Sequence, residues 1–111
     1  MIKPCEHRMY VIVREDLAMK YVQGAHGLAQ FALEHPEAFK LWNNETIIFL
    51  SVFSGLMLDE LNLKLFDKFG STFSYFVEPD LKSDLPTAIC IYEDGTGCVS
   101  HELGSLKLAS I

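Results

Sequence analysis

The sequence predicts a single α/β domain with three layers (α/β/α), in which helices cover both faces of a four-stranded mixed sheet. Short apolar runs rich in β-branched and aromatic residues alternate along the chain with amphipathic segments of helical period. The order β-α-β-α-β-β favours parallel pairing through right-handed crossovers, with a last strand that enters by a short loop. A chain of 111 residues is also too short to divide into two separate cores.

Composition and charge limit the classes of protein that the chain can belong to. Half of the residues are apolar, which predicts a packed core. The longest apolar run, Thr46–Phe53, is far shorter than the ~18 residues that cross a bilayer. Residues 1–8 form a polar lead-in without the apolar centre of a signal peptide, so we expect a cytoplasmic protein with no membrane partner. The net charge of −6 argues against broad, non-specific attachment to nucleic acid.

The three cysteines, Cys5, Cys90 and Cys98, are odd in number and follow no disulfide framework, which fits a reducing compartment. Cys90, Cys98 and His101 have the spacing C-x7-C-x2-H, which lacks the paired thiolates of a zinc knuckle. The sequence therefore predicts no metal site and no cofactor.

The first strand and the first helix organise the chain. Met9–Arg14 is a continuous apolar run, typical of a strand that is covered on both faces. Asp16 is the expected N-cap of the helix that follows, and Pro36 ends this helix after about His35. The residues with helical spacing that form its expected buried face are Val22, Ala25, Leu28, Ala29 and Ala32.

The other side of this helix carries Gln23, Gln30 and Glu34, with His26 beside them. Gly24 and Gly27 each cost a helix about 1 kcal/mol relative to alanine. Glycines at such a cost indicate that a neighbouring strand or a ligand approaches the helix backbone closely.

Three more strands and one more helix complete the predicted domain, which spans residues 9–92. The expected strands are Thr46–Phe53, Thr72–Val77 and Thr87–Tyr92, and Leu56–Phe69 is the second amphipathic helix. Residues 93–111 form a tail for which a short helix, an extra edge strand and partial disorder all remain open.

Two stretches, Tyr10–Glu34 and Glu78–Ile89, carry the residues suited to chemistry. His26 is the candidate for acid–base work, because an imidazole ordinarily titrates near neutral pH; the alternative is a helix histidine that only packs at the edge of the core. Glu78, Asp80 and Asp84 cluster in the loop before the last strand. Ligands of α/β domains collect beyond the carboxyl ends of the strands, where both stretches are expected to lie. We therefore expect the two stretches to meet in space.

The same stretches resemble motifs of the type II peptidyl-tRNA hydrolases, the archaeal and eukaryotic type, which has bacterial and phage relatives. Val13–Met19 reads Val-Arg-Glu-Asp-Leu-Ala-Met and is similar to the family's Val-Arg-x-Asp-Leu-x-Met at the end of a strand. Gln23–Gly27 matches the spacing of its helix motif Gln-x-x-His-Ala. Glu78–Leu81 and Thr87–Ile89 are similar to its acidic loop and to the start of its last strand.

The resemblance implies hydrolysis of the ester between a peptide and the 3′ ribose of tRNA, without a metal or cofactor. It implies that His26 is the acid–base residue or orients the attacking water. Glu78 or Asp80 would be the acidic residue of the loop, and Thr87 would hold a hydrogen bond at the ester. The side chains expected to bind the substrate are Arg14, Lys20, Gln23 and Lys82.

A second function stays open, namely a binding or accessory module on the same fold without catalysis. The acidic net charge motivates it. So does Met19, which stands at the position of a family lysine, with Lys20 one residue further on. The sequence also leaves open a homodimer, formed through a sheet edge or through the C-terminal segment.

Overall fold

The computed structural model describes residues 5–110 and shows an α/β fold with a five-stranded mixed sheet. The strands are β1 (Arg8–Arg14), β2 (Thr46–Val52), β3 (Phe73–Phe76), β4 (Ala88–Glu93) and β5 (Lys107–Leu108). The helices are α1 (Lys20–Glu34), α2 (Pro36–Trp42), α3 (Gly55–Phe69) and α4 (Cys98–Glu102), and a 3-10 turn covers Pro79–Leu81. Residues 1–4 of the expected lead-in lie outside the described residues, as does Ile111. Within residues 5–110, no helix has the length and apolar character needed to span a membrane.

The strands have the order β3-β4-β1-β2-β5 across the sheet. β1 is central and pairs in parallel with β2 and antiparallel with β4. β3 pairs antiparallel with β4, and β5 pairs antiparallel with β2. The predicted mixed sheet is therefore confirmed. β1, β2 and β3 run in the same direction, so their carboxyl ends lie at one edge of the sheet. The predicted site residues follow β1 and β3 at this edge.

The prediction of four strands is wrong, because the tail adds a fifth. β5 pairs only Leu108 with Leu50 and Lys107 with Ser51. The backbone N–H of Ala109 then donates to the carbonyl of Phe49 at 2.9 Å. A strand of two residues has no periodic pattern that the sequence could reveal.

The described side chains form two hydrophobic clusters, and β1 contributes to both. Met9, Val11 and Val13 of β1 pack with Phe31 of α1 and Trp42 of α2. The alternate β1 residues belong to the second cluster, which also holds residues of α3 and α4: Tyr10, Ile12, Leu58, Leu65 and Val99. Because successive strand residues point to opposite faces of a sheet, β1 supplies core to both faces.

Helix α1 begins later than the sequence predicts. Asp16, the expected N-cap, instead accepts hydrogen bonds from Arg14 at the end of β1. The helix starts at Lys20, and the N-cap position belongs to Met19, whose side chain makes no capping bond. An Asp next to a guanidinium gains a charged bidentate pair, which is stronger than the single N–H bond of a cap.

The buried face of α1 also differs from the prediction. Its buried residues are Gln23, Gly24, Gly27 and Phe31, whereas Val22, Ala25 and Ala29 are exposed. The two glycines explain the difference. A Cβ on Gly24 would lie 2.7 Å from the Phe49 ring, and one on Gly27 would lie 3.0 Å from the Ala88 Cβ. The glycines indicated that either a strand or a ligand approaches the helix backbone, and in the structure strand residues do so.

Replacing Gly24 with alanine tests this close approach. Helix propensity alone predicts a gain of about 1 kcal/mol for Gly24→Ala. We expect instead a net loss of about 1–2 kcal/mol in the free energy of unfolding, because the added methyl group overlaps the Phe49 ring. Urea unfolding followed by circular dichroism measures this value. A stabilised variant would show that α1 does not need the glycine.

Glu93 anchors the segment that follows β4. Its side chain is fully buried, and its carboxylate accepts three backbone N–H bonds. Oε2 accepts from Gly95 at 2.8 Å and from Gly97 at 2.9 Å, and Oε1 accepts from Ser100 at 2.9 Å. One side chain therefore satisfies the donors of the turn and of the start of α4 that would otherwise be buried without partners.

Glu93→Gln tests this anchor. The amide of glutamine would turn a donor toward one of the three N–H groups, so we expect a loss of about 2–3 kcal/mol in the free energy of unfolding. Thermal and urea unfolding measure the change. Glu60→Gln on the exposed side of α3 is the matched control, and equal values for the two variants would contradict the anchoring role.

Candidate functional site

An open cleft lies where the start of α1 meets the 3-10 turn after β3. Its volume is about 300 Å³, and its lining residues are Leu17, Ala18, Met19, Gln23, Glu78, Asp80 and Leu81. It lies beyond the carboxyl ends of β1 and β3, the edge at which the sequence predicts a site. The structure thus brings the start of α1 and the acidic loop together.

Gln23 joins the two stretches through its side-chain amide. The Thr87 hydroxyl donates to Gln23 Oε1 at 2.7 Å, and Gln23 Nε2 donates to Glu78 Oε1 at 3.0 Å. Only one orientation of the amide sets its oxygen against the hydroxyl and its NH₂ against the carboxylate. Gln23 is 6% exposed, so this pair of bonds fixes the Glu78 carboxylate from inside the protein.

Thr87 lies behind Gln23 and is fully buried. Its hydroxyl also lies 3.2 Å from the carbonyl oxygen of Phe76, and its backbone N–H donates to the same oxygen at 2.7 Å. A hydroxyl carries a single proton, and here that proton is directed to Gln23 or Phe76. In this arrangement Thr87 orients Gln23 and does not face the cleft.

His26 lies one turn along α1 from Gln23 and is exposed. Its ring stacks on the ring of Phe76, with centroids 4.7 Å apart and planes at 12°. Among residues 5–110, His26 has no hydrogen-bond or ion-pair partner, and it does not line the cleft. The stacking fixes the plane of the imidazole while its nitrogens stay available to a ligand.

The acidic loop contributes two carboxylates to the cleft. Glu78 is half-buried and held by Gln23, whereas Asp80 is exposed on the 3-10 turn. Lys82 follows this turn, is exposed, and has a left-handed backbone with φ of 51°. Asp84 is exposed and lies outside the cleft lining. Glu78 is therefore the acid whose position the structure controls.

Arg14 is an internal side chain, 9% exposed. Its Nε and Nη2 donate to the two carboxylate oxygens of Asp16 at 3.0 and 2.9 Å, and its Nη1 lies 3.4 Å from the carbonyl oxygen of Pro86. A Cβ on Gly55 would lie 2.7 Å from the guanidinium carbon. Arg14 thus ties the end of β1 to α3 and to the residue before Thr87.

Lys20, at the first position of α1, is drawn toward the C-terminal segment. Its ammonium group donates to the Glu15 carboxylate and, at 2.7 Å, to the hydroxyl of Ser110. The Lys20 bond, together with bonds from the backbone and side chain of Ser110, lowers the pKa of Glu15 to about 2. Lys20 is therefore paired with an anion at neutral pH.

Sequence reasoning missed two features of the site: the Phe76 ring beneath His26, and the apolar residues Leu17, Met19 and Leu81 that line the cleft. Phe76 was predicted only as a strand residue, yet it carries the His26 ring. Its signal was present in the alternation of β3, which turns Ser74 and Phe76 to the α1 side. Within the described part of the chain, no group of three or more His, Cys, Asp or Glu side chains is arranged to hold a metal ion.

Comparison of the sequence with protein-family models and with curated proteins produced no match.

The coupling between Thr87 and Gln23 can be measured directly. We expect Thr87→Val to lower the free energy of unfolding by about 1–3 kcal/mol, because the buried Gln23 oxygen loses its donor. Gln23→Met should cost less in the Thr87→Val background than in the natural protein, with a coupling energy of at least ~0.5 kcal/mol. Urea unfolding of the four proteins gives this energy. A coupling energy near zero would contradict the bridge.

Proposed function

We propose that this protein is an esterase-type hydrolase similar to the type II peptidyl-tRNA hydrolases, cleaving the ester between a peptide and the 3′ end of tRNA. The observation that carries the proposal is the Gln23 amide, which links Glu78 and Thr87 at the head of the helix that bears His26. The proposal includes a three-layer arrangement of the fold, supported by the two hydrophobic clusters to which alternate residues of β1 contribute.

Glu78 is the group best placed to activate water. Its Oε1 is occupied by Gln23 Nε2, which leaves Oε2 for a water in the cleft. The carboxylate takes a proton as the water oxygen attacks the ester carbonyl carbon. The C–O bond to the ribose then breaks, and the products are a free peptide carboxylate and the 3′ hydroxyl of tRNA.

His26 is assigned to the leaving ribose oxygen. Its imidazole is exposed and is held in plane by Phe76. Such a ring can donate a proton to the oxygen that leaves, or stabilise charge on the tetrahedral intermediate. His26 and Glu78 would then work from two sides of the bound ester, so they need no direct contact with each other.

Thr87 and Arg14 act as positioning residues in this scheme. Thr87 sets the orientation of the Gln23 amide, and Arg14 holds the backbone at Pro86, next to Thr87. Neither side chain needs to touch the substrate. Removing the Thr87 hydroxyl would therefore lower the rate through Gln23 and Glu78.

The walls of the cleft suit the two ends of such an ester. Met19 and Leu81 are exposed apolar side chains on opposite sides of it, and they can pack against a peptide side chain or the face of a terminal base. Lys82 is exposed beside the turn and can meet a phosphate.

One observation favours the second candidate, a binding module without catalysis. Arg14 and Lys20, two cations expected to bind substrate, are both paired with carboxylates of the same chain. Met19 also occupies the position of the family lysine. A protein with this arrangement can hold a ligand in the cleft with little attraction for the tRNA backbone.

The test is release of tRNA from a model peptidyl-tRNA by the purified protein. We expect Glu78→Gln to lower kcat/KM by about 10²–10⁴, the usual contribution of a general base, while the affinity for tRNA changes little. Asp80→Asn is the matched control, with a loss below about tenfold. A larger loss in Asp80→Asn would move the role of base to Asp80.

His26→Ala tests the role assigned to His26, and the natural protein's own turnover separates the two candidate functions. Under the proposal it lowers turnover without lowering the free energy of unfolding, since the side chain is exposed. No turnover together with measurable tRNA binding by the natural protein would favour the binding module. Absence of both turnover and binding would end the proposal.

A further inference from the structure

The β3 edge, Phe73–Phe76, is the outer side of the sheet opposite β5, and within residues 5–110 it pairs only with β4. The Phe76 carbonyl accepts the Thr87 N–H, which places this oxygen on the β4 side. Because successive residues of a strand turn their backbone groups to opposite sides, the N–H and C=O of Tyr75 point outward. The Phe73 carbonyl is turned to the same side, where His35 Nε2 lies 3.3 Å from it, so among the described residues the unoccupied backbone groups are those of Tyr75.

A hollow of about 380 Å³ runs along this edge, and Phe66 and Tyr75 form its apolar part. Phe66 is 61% exposed and Tyr75 is 51% exposed, although both are large aromatic residues. Phe73, Tyr75 and α3 lie on one face of the sheet. A side chain that reached this face of the edge would meet apolar surface.

The opposite face of the edge is acidic. The Ser74 hydroxyl donates to Glu34 Oε1 at 2.6 Å, and Gln30 Nε2 donates to Glu34 Oε2 at 2.7 Å. Burial alone would raise the pKa of Glu34, but these two hydrogen bonds lower it, so the carboxylate is charged at neutral pH. Glu34 also lines a neighbouring hollow of about 390 Å³ together with Glu37. His35 lines both hollows, and no Lys or Arg of the described residues lines either one.

We infer that the β3 edge binds an extended peptide segment of a partner protein, in which apolar and basic side chains alternate. The backbone of the segment would bond to Tyr75 and add a strand to the sheet. Its alternate side chains would fall on opposite faces, the apolar ones against Phe66 and Tyr75 and the basic ones against Glu34 and Glu37.

The β3 edge is short, at four residues, but it lacks the side chains that usually prevent such pairing. Its sequence, Phe-Ser-Tyr-Phe, contains no lysine, no proline and no other charged residue. The acidic part of this edge is distant from the cleft, although Phe76 at the other end of β3 contacts His26. Glu34 ends α1, whose 15 residues put it about 21 Å from the start of the helix.

Fluorescence anisotropy with a labelled Val-Lys-Val-Lys-Val peptide tests the inference. We expect a Kd in the range of about 1–100 μM, since a four-residue edge offers few backbone bonds. Val-Glu-Val-Glu-Val should bind at least tenfold more weakly. Glu34→Gln should weaken binding of the lysine peptide about three- to tenfold, while Glu45→Gln, a distant exposed acid, serves as the matched control.

Tyr75→Pro tests the backbone contact. It removes an N–H that points away from β4, so no ladder bond is lost, and proline is tolerated on edge strands. We expect binding to fall at least tenfold, whereas Tyr75→Ala, which keeps the N–H, should retain part of it. Should Tyr75→Pro not fold, the natural protein can be tested with a peptide methylated on its backbone nitrogens, which should bind at least tenfold more weakly.

Two results would overturn the inference. One is equal binding of the lysine, glutamate and methylated peptides. The other is a concentration-dependent dimer of the natural protein that disappears in Tyr75→Pro, because a second copy of the chain would then occupy the edge. Analytical ultracentrifugation without peptide measures this outcome.

Discussion

The structure depends on the contact between α1 and the sheet, and this contact has an apolar part and a polar part. Gly24 and Gly27 allow the helix to approach the sheet so closely that an added Cβ would lie 2.7 Å from the Phe49 ring and 3.0 Å from the Ala88 Cβ, respectively. The approach buries the Gln23 amide, which would be costly without partners. Thr87 and Glu78 supply those partners. Close packing at the glycines therefore depends on a polar bridge that compensates for the burial of Gln23.

Much of the fold could be predicted from the sequence, because β1, β2, α3 and β4 have apolar runs or clear helical periodicity. The buried face of α1 could not be, since glycines carry no apolar signal and Gln23 resembles a surface residue. Its partners lie 55 and 64 residues away in the chain. For the tail the sequence left a short helix, an edge strand and partial disorder open and could not choose among them, because the contacts that hold it are with the distant residues Phe49 and Glu15.

The candidate site was predicted in part for the same reason. The acidic loop and the start of α1 meet, as topology implied, since both follow the carboxyl ends of strands. What the sequence could not show is which charges are already paired. From the sequence, Arg14 and Lys20 look like cations that are free to bind a substrate. In the structure they pair with Asp16 and Glu15, respectively. These two ion pairs are internal links, whereas His26, Asp80 and Lys82 are exposed.

The Glu93 carboxylate has a consequence for how the domain opens. Amide hydrogens in a loop usually exchange with solvent through small local fluctuations. Those of Gly95, Gly97 and Ser100 all donate to the Glu93 side chain, so releasing them leaves a buried carboxyl group without hydrogen-bond partners. We therefore expect the segment from Gly95 to Ser100 to open together with β4 and not as a separate end.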